Sequence, residues 1–354
     1  MPLRNKSDLA LAYTPGVGAV SRAIGKNKSL AKFYTLKHNT VAVVSDGSSV
    51  LGLGNLGAAG AIPVMEGKAI LFKELAGVDA FPICLNTQNP DEIVAAVKNI
   101  APVFGGINLE DIAAPRCFEV ERRLKEELDI PVMHDDQHGT ATVVLAALIN
   151  ALKLRGSKKE KVKVAVNGAG AAGNAITQLL LKFGFKNIIV VDSRGAIYEG
   201  RSHLDQYKKV LAKRTNAEKI KGDLSGCLKG RDIFIGVSRA GLLKPGMIEK
   251  MNAKPVILAL ANPVPEIMPA LAKKAGAFIV ATGRSDFPNQ INNVLVFPGV
   301  FRGALDNGVK QITDRMLIKA AQNLAAATKN LNPNKILPDI FDKLVVKAIA
   351  RAVK

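Results

Sequence analysis

The stretch Val164-Ala-Val-Asn-Gly-Ala-Gly-Ala-Ala-Gly-Asn174 joins an apolar strand to a glycine-rich turn and then to a helix. Gly168 permits the tight turn, Gly170 lets the backbone approach a pyrophosphate, and Gly173 lets the helix pack against the strand. The helix N-terminus adds free N–H groups, which bind phosphate. The alternative is a glycine-rich turn that binds nothing. We predict a dinucleotide site whose residues in this turn are Gly168, Gly170, Ala171, Ala172 and Gly173.

A second predicted strand, Asn187–Val191, leads to Asp192, which stands nineteen residues after Gly173. An acidic residue at this position can accept a hydrogen bond from a ribose hydroxyl of NAD and would repel the 2′-phosphate of NADP. Ser193 and Arg194 follow, however, and a hydroxyl beside a guanidinium is typical of a phosphate site. The sequence therefore leaves NAD and NADP open. We predict NAD, because the carboxylate is fixed at the strand end whereas the arginine is flexible.

Composition limits the cellular context. The chain has 354 residues, of which 48% are hydrophobic, so it can form two hydrophobic cores. No segment approaches the roughly 18 apolar residues of a membrane span, and the N-terminus lacks the apolar region of a secretion signal. The three cysteines are widely spaced without a CxxC pair, which argues against disulfides and a thiolate metal site. We expect a cytoplasmic protein without membrane contact.

The formal net charge of +19 raises the question of nucleic-acid binding. The lysines crowd into polar stretches such as 157–163 and 208–221, with few aromatic residues between them and no recognisable nucleic-acid motif. We therefore predict a solvated basic surface and no nucleic-acid partner. Such a surface would attract a dicarboxylate and a phosphorylated cofactor through its long-range field.

Hydrophobic periodicity divides the chain near residue 150. Before that point, apolar runs at 40–45, 80–85 and 130–133 alternate with helical stretches, which is typical of a parallel α/β domain. Gly139–Leu154 is predicted to be a connecting helix. We predict an α/β protein of two domains, a substrate and metal domain over 1–150 and a doubly wound Rossmann domain over 151–354 with terminal helices. The later predicted elements are strands at 162–167, 187–191, 232–236, 255–261 and 277–281 and helices at 314–329 and 339–353.

Four carboxylates are predicted to converge in the first domain. Glu110 and Asp111 end one strand, and Asp135 and Asp136 end the next strand along the chain. In a right-handed βαβ unit these two strand ends are neighbours, so the carboxylates repel one another unless a cation neutralises them. Oxygen ligands suit Mg²⁺ or Mn²⁺. Helix capping by the same acids remains the alternative, whereas zinc bound by the nearby histidines is disfavoured because they do not share one helix.

Seven separated motifs span nearly the whole chain, namely Leu9-Ala-Leu-Ala-Tyr-Thr-Pro-Gly-Val17, Ser45-Asp-Gly-Ser-Ser-Val-Leu-Gly-Leu-Gly-Asn55, Pro63-Val-Met-Glu-Gly-Lys68, Asn108-Leu-Glu-Asp111, His134-Asp-Asp-Gln-His-Gly-Thr-Ala141, Ala261-Asn-Pro-Val-Pro-Glu266 and Asn292-Asn-Val-Leu-Val-Phe-Pro-Gly299. In sequence and in order, they resemble the short bacterial and archaeal malic enzymes. The resemblance implies oxidative decarboxylation of malate to pyruvate and CO₂, with reduction of NAD or NADP.

The resemblance also implies roles for the acidic residues. Glu110, Asp111 and Asp136 look like the ligands of a divalent cation, Mg²⁺ or Mn²⁺. The cation would act as a Lewis acid for the electrons released when CO₂ departs. Asp135, beside them, resembles the supporting acid/base residue of the family.

Proton transfer and substrate binding are implied for four further residues. Lys68 resembles the base that removes the C2 hydroxyl proton, which requires a neutral amine, and we expect the metal and partial burial to lower its pKa. Tyr13 resembles the acid that protonates C3 of enolpyruvate. Asn262 and Asn293 fall where members of the family hold the substrate carboxylate.

The chain departs from the family pattern in one segment. Larger malic enzymes have an arginine before Leu-Gly-Leu-Gly that grips malate, whereas this chain has Ser48-Ser-Val50. Lys73 is the candidate cation for the second carboxylate. The helical extension that precedes Leu9 in relatives is expected to be short or missing, and the partner we expect is a second copy in a homodimer.

Three alternative functions stay open at this point. The first is a malolactic or non-decarboxylating malate-oxidising enzyme with the same residues. The second is an amino-acid dehydrogenase of similar layout, which would not need the acidic cluster. The third is an inactive NAD-binding regulator, which would not need the predicted lysine and tyrosine.

Overall fold

The computed structural model describes residues 2–354. It begins with an arm of three short helices that contain no buried residue, although several of their side chains are large and apolar. The arm therefore adds little to the hydrophobic core. Its helices are α1 (Lys6–Ala12), α2 (Gly16–Lys26) and α3 (Ala31–Tyr34).

Four parallel strands form the first sheet, in the spatial order β2-β1-β3-β4. Every residue of β1 is buried, as its continuous apolar run requires in a parallel sheet covered on both faces. The predicted parallel α/β arrangement is confirmed. The strands are β1 (Thr40–Ser45), β2 (Asp79–Cys84), β3 (Gly106–Leu109) and β4 (Val132–His134), and the helices are α4 (Gly57–Ala76), α5 (Pro90–Ile100) and α6 (Arg116–Glu127).

A 21-residue helix, α7 (Asp135–Arg155), connects the first sheet to the second. The sequence predicts this helix from Gly139, four residues after its observed start. The difference arises because the helix begins directly where β4 ends, with Asp135 and Asp136 in its first turn. A helix N-terminus stabilises negative charge there. Both carboxylates are consequently held on a rigid element rather than on a loop.

Six strands form the second sheet, in the order β10-β9-β8-β5-β6-β7. All neighbouring pairs are parallel except β6 with β7. The strand order reverses between β5 and β8, and doubly wound sheets bind ligands at such a point. The predicted Rossmann-type fold is confirmed, and each predicted strand agrees within two residues at either end. The strands are β5 (Lys163–Asn167), β6 (Asn187–Asp192), β7 (Gly195–Ala196), β8 (Ile233–Gly236), β9 (Val256–Ala259) and β10 (Ile279–Thr282).

Five helices accompany the second sheet, and three more follow it. The last helix is predicted from Asp339 but begins at Leu344, because the side chains of Asp339 and Asp342 accept backbone N–H groups and hold a turn. No helix within residues 2–354 is both long and apolar enough to cross a membrane. The helices are α8 (Ala171–Phe183), α9 (Gln206–Arg214), α10 (Leu224–Leu228), α11 (Pro245–Ile248), α12 (Pro269–Lys274), α13 (Phe297–Asn307), α14 (Asp314–Ala326) and α15 (Leu344–Ala350).

Helix α13 returns from the second sheet to pack against α4 of the first. The ring of Phe72 lies 4.7 Å from that of Phe297 and 5.5 Å from that of Phe301, measured between centroids. A late segment of the chain thus completes the core under the first sheet. The division of the chain at residue 150 stays a prediction.

Candidate active site

Four carboxylates meet at the carboxyl ends of β3 and β4. Glu110 and Asp111 follow β3, while Asp135 and Asp136 begin α7 after β4, and the two strands pair in parallel. Oxygen atoms of Glu110, Asp111 and Asp136 all lie within 4.8 Å of one another. The backbone N–H of Asp111 donates to Oδ2 of Asp136 over 2.8 Å, which ties the two strand ends together. The structure thus brings together the acids that the sequence predicts to converge.

The side chain of Lys68 projects from α4 into this cluster. Its Nζ lies 2.5 Å from Oε2 of Glu110 and 2.5 Å from Oδ2 of Asp135, and it sits 4.4 Å from the ring centroid of Phe297. Burial opposes the charge of the ammonium group, but the carboxylates of Asp135 and Glu110 outweigh it and raise the pKa of Lys68. Among the protein's own groups, ion pairing thus outweighs burial, and the lowering of the Lys68 pKa by a bound divalent cation stays a prediction.

For the carboxylates, in contrast to Lys68, the surroundings disfavour the charged form. Burial, together with their mutual repulsion, raises the pKa of Glu110 to about 7 and that of Asp111 to about 8. Oδ2 of Asp111 is buried without a hydrogen-bond partner. A buried, unpaired carboxylate oxygen is costly unless a cation neutralises it. A cluster of oxygen ligands suits a hard divalent cation, so these residues fit the predicted Mg²⁺ or Mn²⁺.

A cavity of about 910 Å³ joins the acidic cluster to the nucleotide-binding turn. Its wall contains residues that follow strands of both sheets, so that substrate and cofactor would meet at one place. Among the described residues of this wall, Lys68 is the one that carries positive charge. The predicted site residues that line the cavity are Lys68, Glu110, Asp111, Asp136, Gly170, Ala171, Ala172, Asn262 and Asn293.

The glycine-rich turn has the geometry that phosphate binding requires. Gly168 has a φ of +120°, and a Cβ there would lie 2.6 Å from the carbonyl oxygen of Val237. A Cβ on Gly173 would overlap the carbonyl oxygen of Gly168, whereas one on Gly170 would meet nothing within 4 Å. Helix α8 begins at Ala171 without a side-chain cap, so its first N–H groups are left for a ligand.

Asp192 is neutralised by basic residues other than Arg194, whose side chain is exposed. Arg194 donates only its backbone N–H, at 2.9 Å, to Oδ1 of Asp192. The guanidinium of Arg201 instead pairs with both carboxylate oxygens, at 2.9 and 2.5 Å, and Nζ of Lys208 lies 3.2 Å away. Despite partial burial, these donors lower the pKa of Asp192 to about 2. Ser193 is exposed and makes no hydrogen bond within the described chain. Sequence reasoning missed Arg201 and Lys208, because no local motif predicts which distant basic residue folds back.

Of the remaining predicted residues, Asp135, Gly168, Gly173, Asp192, Ser193 and Arg194 belong to the cluster, turn and strand end described above but do not line the cavity wall. Two others lie away from both the wall and the carboxylate cluster. Lys73 is exposed on the far part of α4 and forms an ion pair with Asp79 at 2.7 Å, so its assignment to the second malate carboxylate is wrong. Tyr13 follows α1, is 67% exposed and lines no part of the cavity wall. Tyr13 is assigned by its motif, and Lys73 is named only as a cation that could replace the missing arginine. Within one described chain, neither reaches the carboxylate cluster.

Glu121 is a buried residue of α6 that sequence reasoning did not single out. Its carboxylate accepts hydrogen bonds from the backbone N–H of His134 at 3.0 Å and from the side chain of Gln137 at 3.2 Å, and it pairs with His138 at 2.9 Å. Burial opposes the negative charge, but the neighbouring cations lower the pKa of Glu121 below its usual range. The residue holds the start of α7 in place. It also pairs with His138, and the expectation that the histidines hold no zinc stays a prediction.

Two models of one protein family match this chain. A family model described as the malic enzyme N-terminal domain matches residues 1–125, and one described as the malic enzyme NAD binding domain matches residues 137–354. The chain belongs to the malic enzyme family. The match to the N-terminal domain includes Glu110 and Asp111, and the match to the NAD-binding domain includes the glycine-rich turn, while Asp135 and Asp136 lie between the two matched ranges.

Individual malic enzymes agree with this assignment. The NAD-dependent malic enzyme of Geobacillus stearothermophilus is 54% identical, with 100% of this chain and 74% of that protein covered. The bifunctional malic/malolactic enzyme of Bacillus subtilis is 53% identical, with 99% and 86% covered. The crystal structure of an NAD-dependent malic enzyme from Thermotoga maritima matches with a TM-score of 0.97 at 53% identity, covering 100% of this chain and 94% of that one.

Proposed function

We propose that this member of the malic enzyme family uses a divalent cation to oxidise and decarboxylate malate to pyruvate and CO₂, with reduction of NAD⁺. The observation that carries the proposal is one cavity that contains a carboxylate cluster, a buried lysine and a free helix N-terminus. An amino-acid dehydrogenase would have no use for the acidic cluster. An inactive NAD-binding regulator would have no use for Lys68 buried between Glu110 and Asp135.

The divalent cation would be held by the clustered carboxylates. Glu110, Asp111 and Asp136 present oxygen atoms to one point, and the α7 N-terminus and the hydrogen bond from Asp111 to Asp136 hold that arrangement rigid. When bound, such a cation supplies Lewis acidity that stabilises negative charge on oxygen as CO₂ leaves. Mg²⁺ and Mn²⁺ both suit these ligands.

Proton transfer falls to the chain's own residues. Lys68 is placed to take the proton of the malate C2 hydroxyl once its ammonium has given a proton up. Asp135, 2.5 Å from Nζ of Lys68 and fully buried, is placed to exchange that proton. Asn262 and Asn293 line the same cavity, where their amide N–H groups would bind carboxylate oxygens of malate.

The test is an assay of purified protein with malate, Mn²⁺ and each cofactor. We expect pyruvate, CO₂ and reduced cofactor in equal amounts, and no turnover after treatment with a chelator. Oxaloacetate as the end product would indicate malate oxidation alone. Lactate without net NADH would indicate malolactic activity. Lactate is measured because a relative is named a bifunctional malic/malolactic enzyme. Turnover that survives chelation would contradict the metal assignment.

We also propose that the chain forms a homodimer. The N-terminal arm has no buried residue, and an exposed apolar surface of this kind is typical of an interface. Tyr13 lies on this arm, so a second copy that packs against it would bring Tyr13 of one chain to the cavity of the other. The exposed large apolar residues of the arm and its continuation include Leu9, Leu11, Tyr13, Phe33, Tyr34 and Leu36.

Mixing two inactive variants tests whether Tyr13 acts between subunits. Tyr13→Phe keeps Lys68, and Lys68→Met keeps Tyr13, so a mixed dimer would have one intact site only if the two residues come from different chains. After equimolar mixing with exchange of subunits, we expect about a quarter of wild-type activity. No recovery, with mixed dimers present by native mass spectrometry, would show that both residues act within one chain.

The predicted cofactor remains NAD, but repulsion of a 2′-phosphate by Asp192 is no longer the main reason. Asp192 can still accept a ribose hydroxyl, but Arg201 and Lys208 already neutralise much of its charge. We expect wild-type enzyme to prefer NAD and Asp192→Ala to shift the ratio of kcat/KM values towards NADP by about 10-fold, because the freed cations can then pair with a 2′-phosphate.

Asp205→Ala is the matched control for the cofactor experiment. Asp205 caps α9 and also lies 4.0 Å from Lys208, but it is not at the end of β6. We expect its ratio of kcat/KM values to equal that of the wild type. A wild type that prefers NADP, with no further shift in Asp192→Ala, would show that Asp192 does not select the cofactor.

Two further predictions concern context. We retain a cytoplasmic location and the absence of a nucleic-acid partner as proposals. The cysteine spacing supports the first, and the lack of aromatic residues and of a nucleic-acid motif in the lysine-rich stretches supports the second. The net charge of +19 is expected to serve attraction of anionic substrate and cofactor instead.

A further inference from the structure

Glu266 is a buried carboxylate without a cation. It has no solvent exposure, and no Lys, Arg or His within residues 2–354 forms an ion pair with it. Burial raises its pKa. Buried carboxylates are costly unless hydrogen bonds satisfy them, so the two oxygens of this one should have specific donors.

Those donors are backbone N–H groups from two separate loops. The N–H of Ser238 donates to Oε1 over 3.1 Å, and the N–H of Ala261 donates to Oε2 over 3.0 Å. Ser238 lies in the loop after β8, and Ala261 lies in the loop after β9. One side chain therefore bridges the carboxyl ends of two neighbouring strands.

Both loops form the wall of the cavity. Val237 and Ser238 line it after β8, and Ala261 and Asn262 line it after β9. The N–H of Val237 also donates to the carbonyl of Asn167 over 2.9 Å, directly before the glycine-rich turn. The loop that Glu266 holds from one side thus supports the nucleotide-binding turn from the other.

We propose that Glu266 is a positioning residue that fixes the cofactor-side loop Val237–Ser238 and the substrate-side residue Asn262 relative to each other. A carboxylate is required because both of its oxygens must accept an N–H group, whereas an amide offers one acceptor and turns a donor towards the other N–H. The substrate half of this inference rests on the proposed function, through the assignment of Asn262 to malate. The cofactor half does not depend on it.

The test compares Glu266→Gln with a matched variant at the opposite end of β8. Asp232 is also buried, at 6% exposure, and its carboxylate pairs with Arg155 and accepts the N–H of Lys163 at 2.7 Å, far from the cavity wall. Asp232→Asn should lower the thermal midpoint without changing ligand binding. Glu266→Gln should raise the Kd of NADH, measured by fluorescence, and the KM of malate by about 10-fold each, with a smaller fall in kcat.

The outcomes separate positioning from stability. A second variant, Glu266→Asp, keeps the charge but shortens the side chain, and it should show the same pattern at smaller amplitude. A Glu266→Gln enzyme with a lowered thermal midpoint but with NADH Kd and malate KM within about 2-fold of wild type would overturn the proposal. Failure of both variants to fold would assign Glu266 to stability and overturn it too. If wild-type protein does not oxidise malate, the proposed function fails, while the NADH comparison still decides the cofactor half.

Discussion

Replacing Asp136 by asparagine is expected to reduce malate oxidation by at least about 10³-fold and to leave the chain folded. Asparagine keeps the size of the side chain and an oxygen that can accept the N–H of Asp111, so the link between the two strand ends survives. The substitution removes one negative charge from a cluster that needs all three to hold a divalent cation. Activity would fall because the negative charge that CO₂ leaves behind on the C2 oxygen of the substrate would no longer be stabilised.

The same variant has a readout that does not depend on activity. A ligand that binds only the native state raises the thermal midpoint, so Mn²⁺ should stabilise wild-type protein but not Asp136→Asn. Without metal, the variant should be at least as stable as wild type, because it loses a repulsion between carboxylates. Burial is the largest cause of the raised pKa of Asp111, and the charge of Asp136 is the second.

Asp314→Asn provides the control for Asp136→Asn. Asp314 also lies in the first turn of a helix, α14, but it is partly exposed and pairs with Lys182. We expect wild-type kinetics and a normal response to Mn²⁺ from this variant. An Asp136→Asn enzyme that kept its Mn²⁺-dependent stabilisation would refute the metal assignment.

Lys68→Met should also abolish malate oxidation, with a loss of about 10³-fold, for a different reason. Methionine fills a similar volume next to Phe297 but can neither accept nor donate the C2 hydroxyl proton. It leaves Glu110 and Asp135 without their cation, so the carboxylates remain free to hold Mn²⁺. We expect a retained or larger thermal stabilisation by Mn²⁺ together with the loss of turnover.

Oxaloacetate decarboxylation distinguishes the role of Lys68 from that of the metal ligands. That step needs no proton removal from C2, so Lys68→Met should retain it and Asp136→Asn should not. Lys73→Met, on the exposed part of the same helix, should behave as wild type in every assay. Equal loss of malate oxidation and oxaloacetate decarboxylation in Lys68→Met would show that Lys68 is not a specific base for the C2 hydroxyl.

Features that depend on residues close together in the sequence could be predicted without a structure. The glycine-rich turn at 168–173, the period of the strands and the two acidic pairs at strand ends each depend on residues a few positions apart. Chain connectivity then brings β3 and β4 side by side, because a right-handed crossover joins them. Local sequence was therefore enough to predict the α/β class, the neighbouring carboxyl ends of β3 and β4, and the family.

The tertiary structure decided which charges meet. Lys68 pairs with Asp135 across 67 positions of sequence, and its carboxylate partners outweigh burial and raise the pKa of the lysine. Arg201 rather than Arg194 neutralises Asp192, and the buried carboxylate of Glu266 is satisfied by two loops instead of a cation. Such contacts depend on side-chain direction and on distance in space, and interaction between charges weakens within a few ångströms as solvent intervenes. No local pattern encodes those distances, so only the folded chain could determine them.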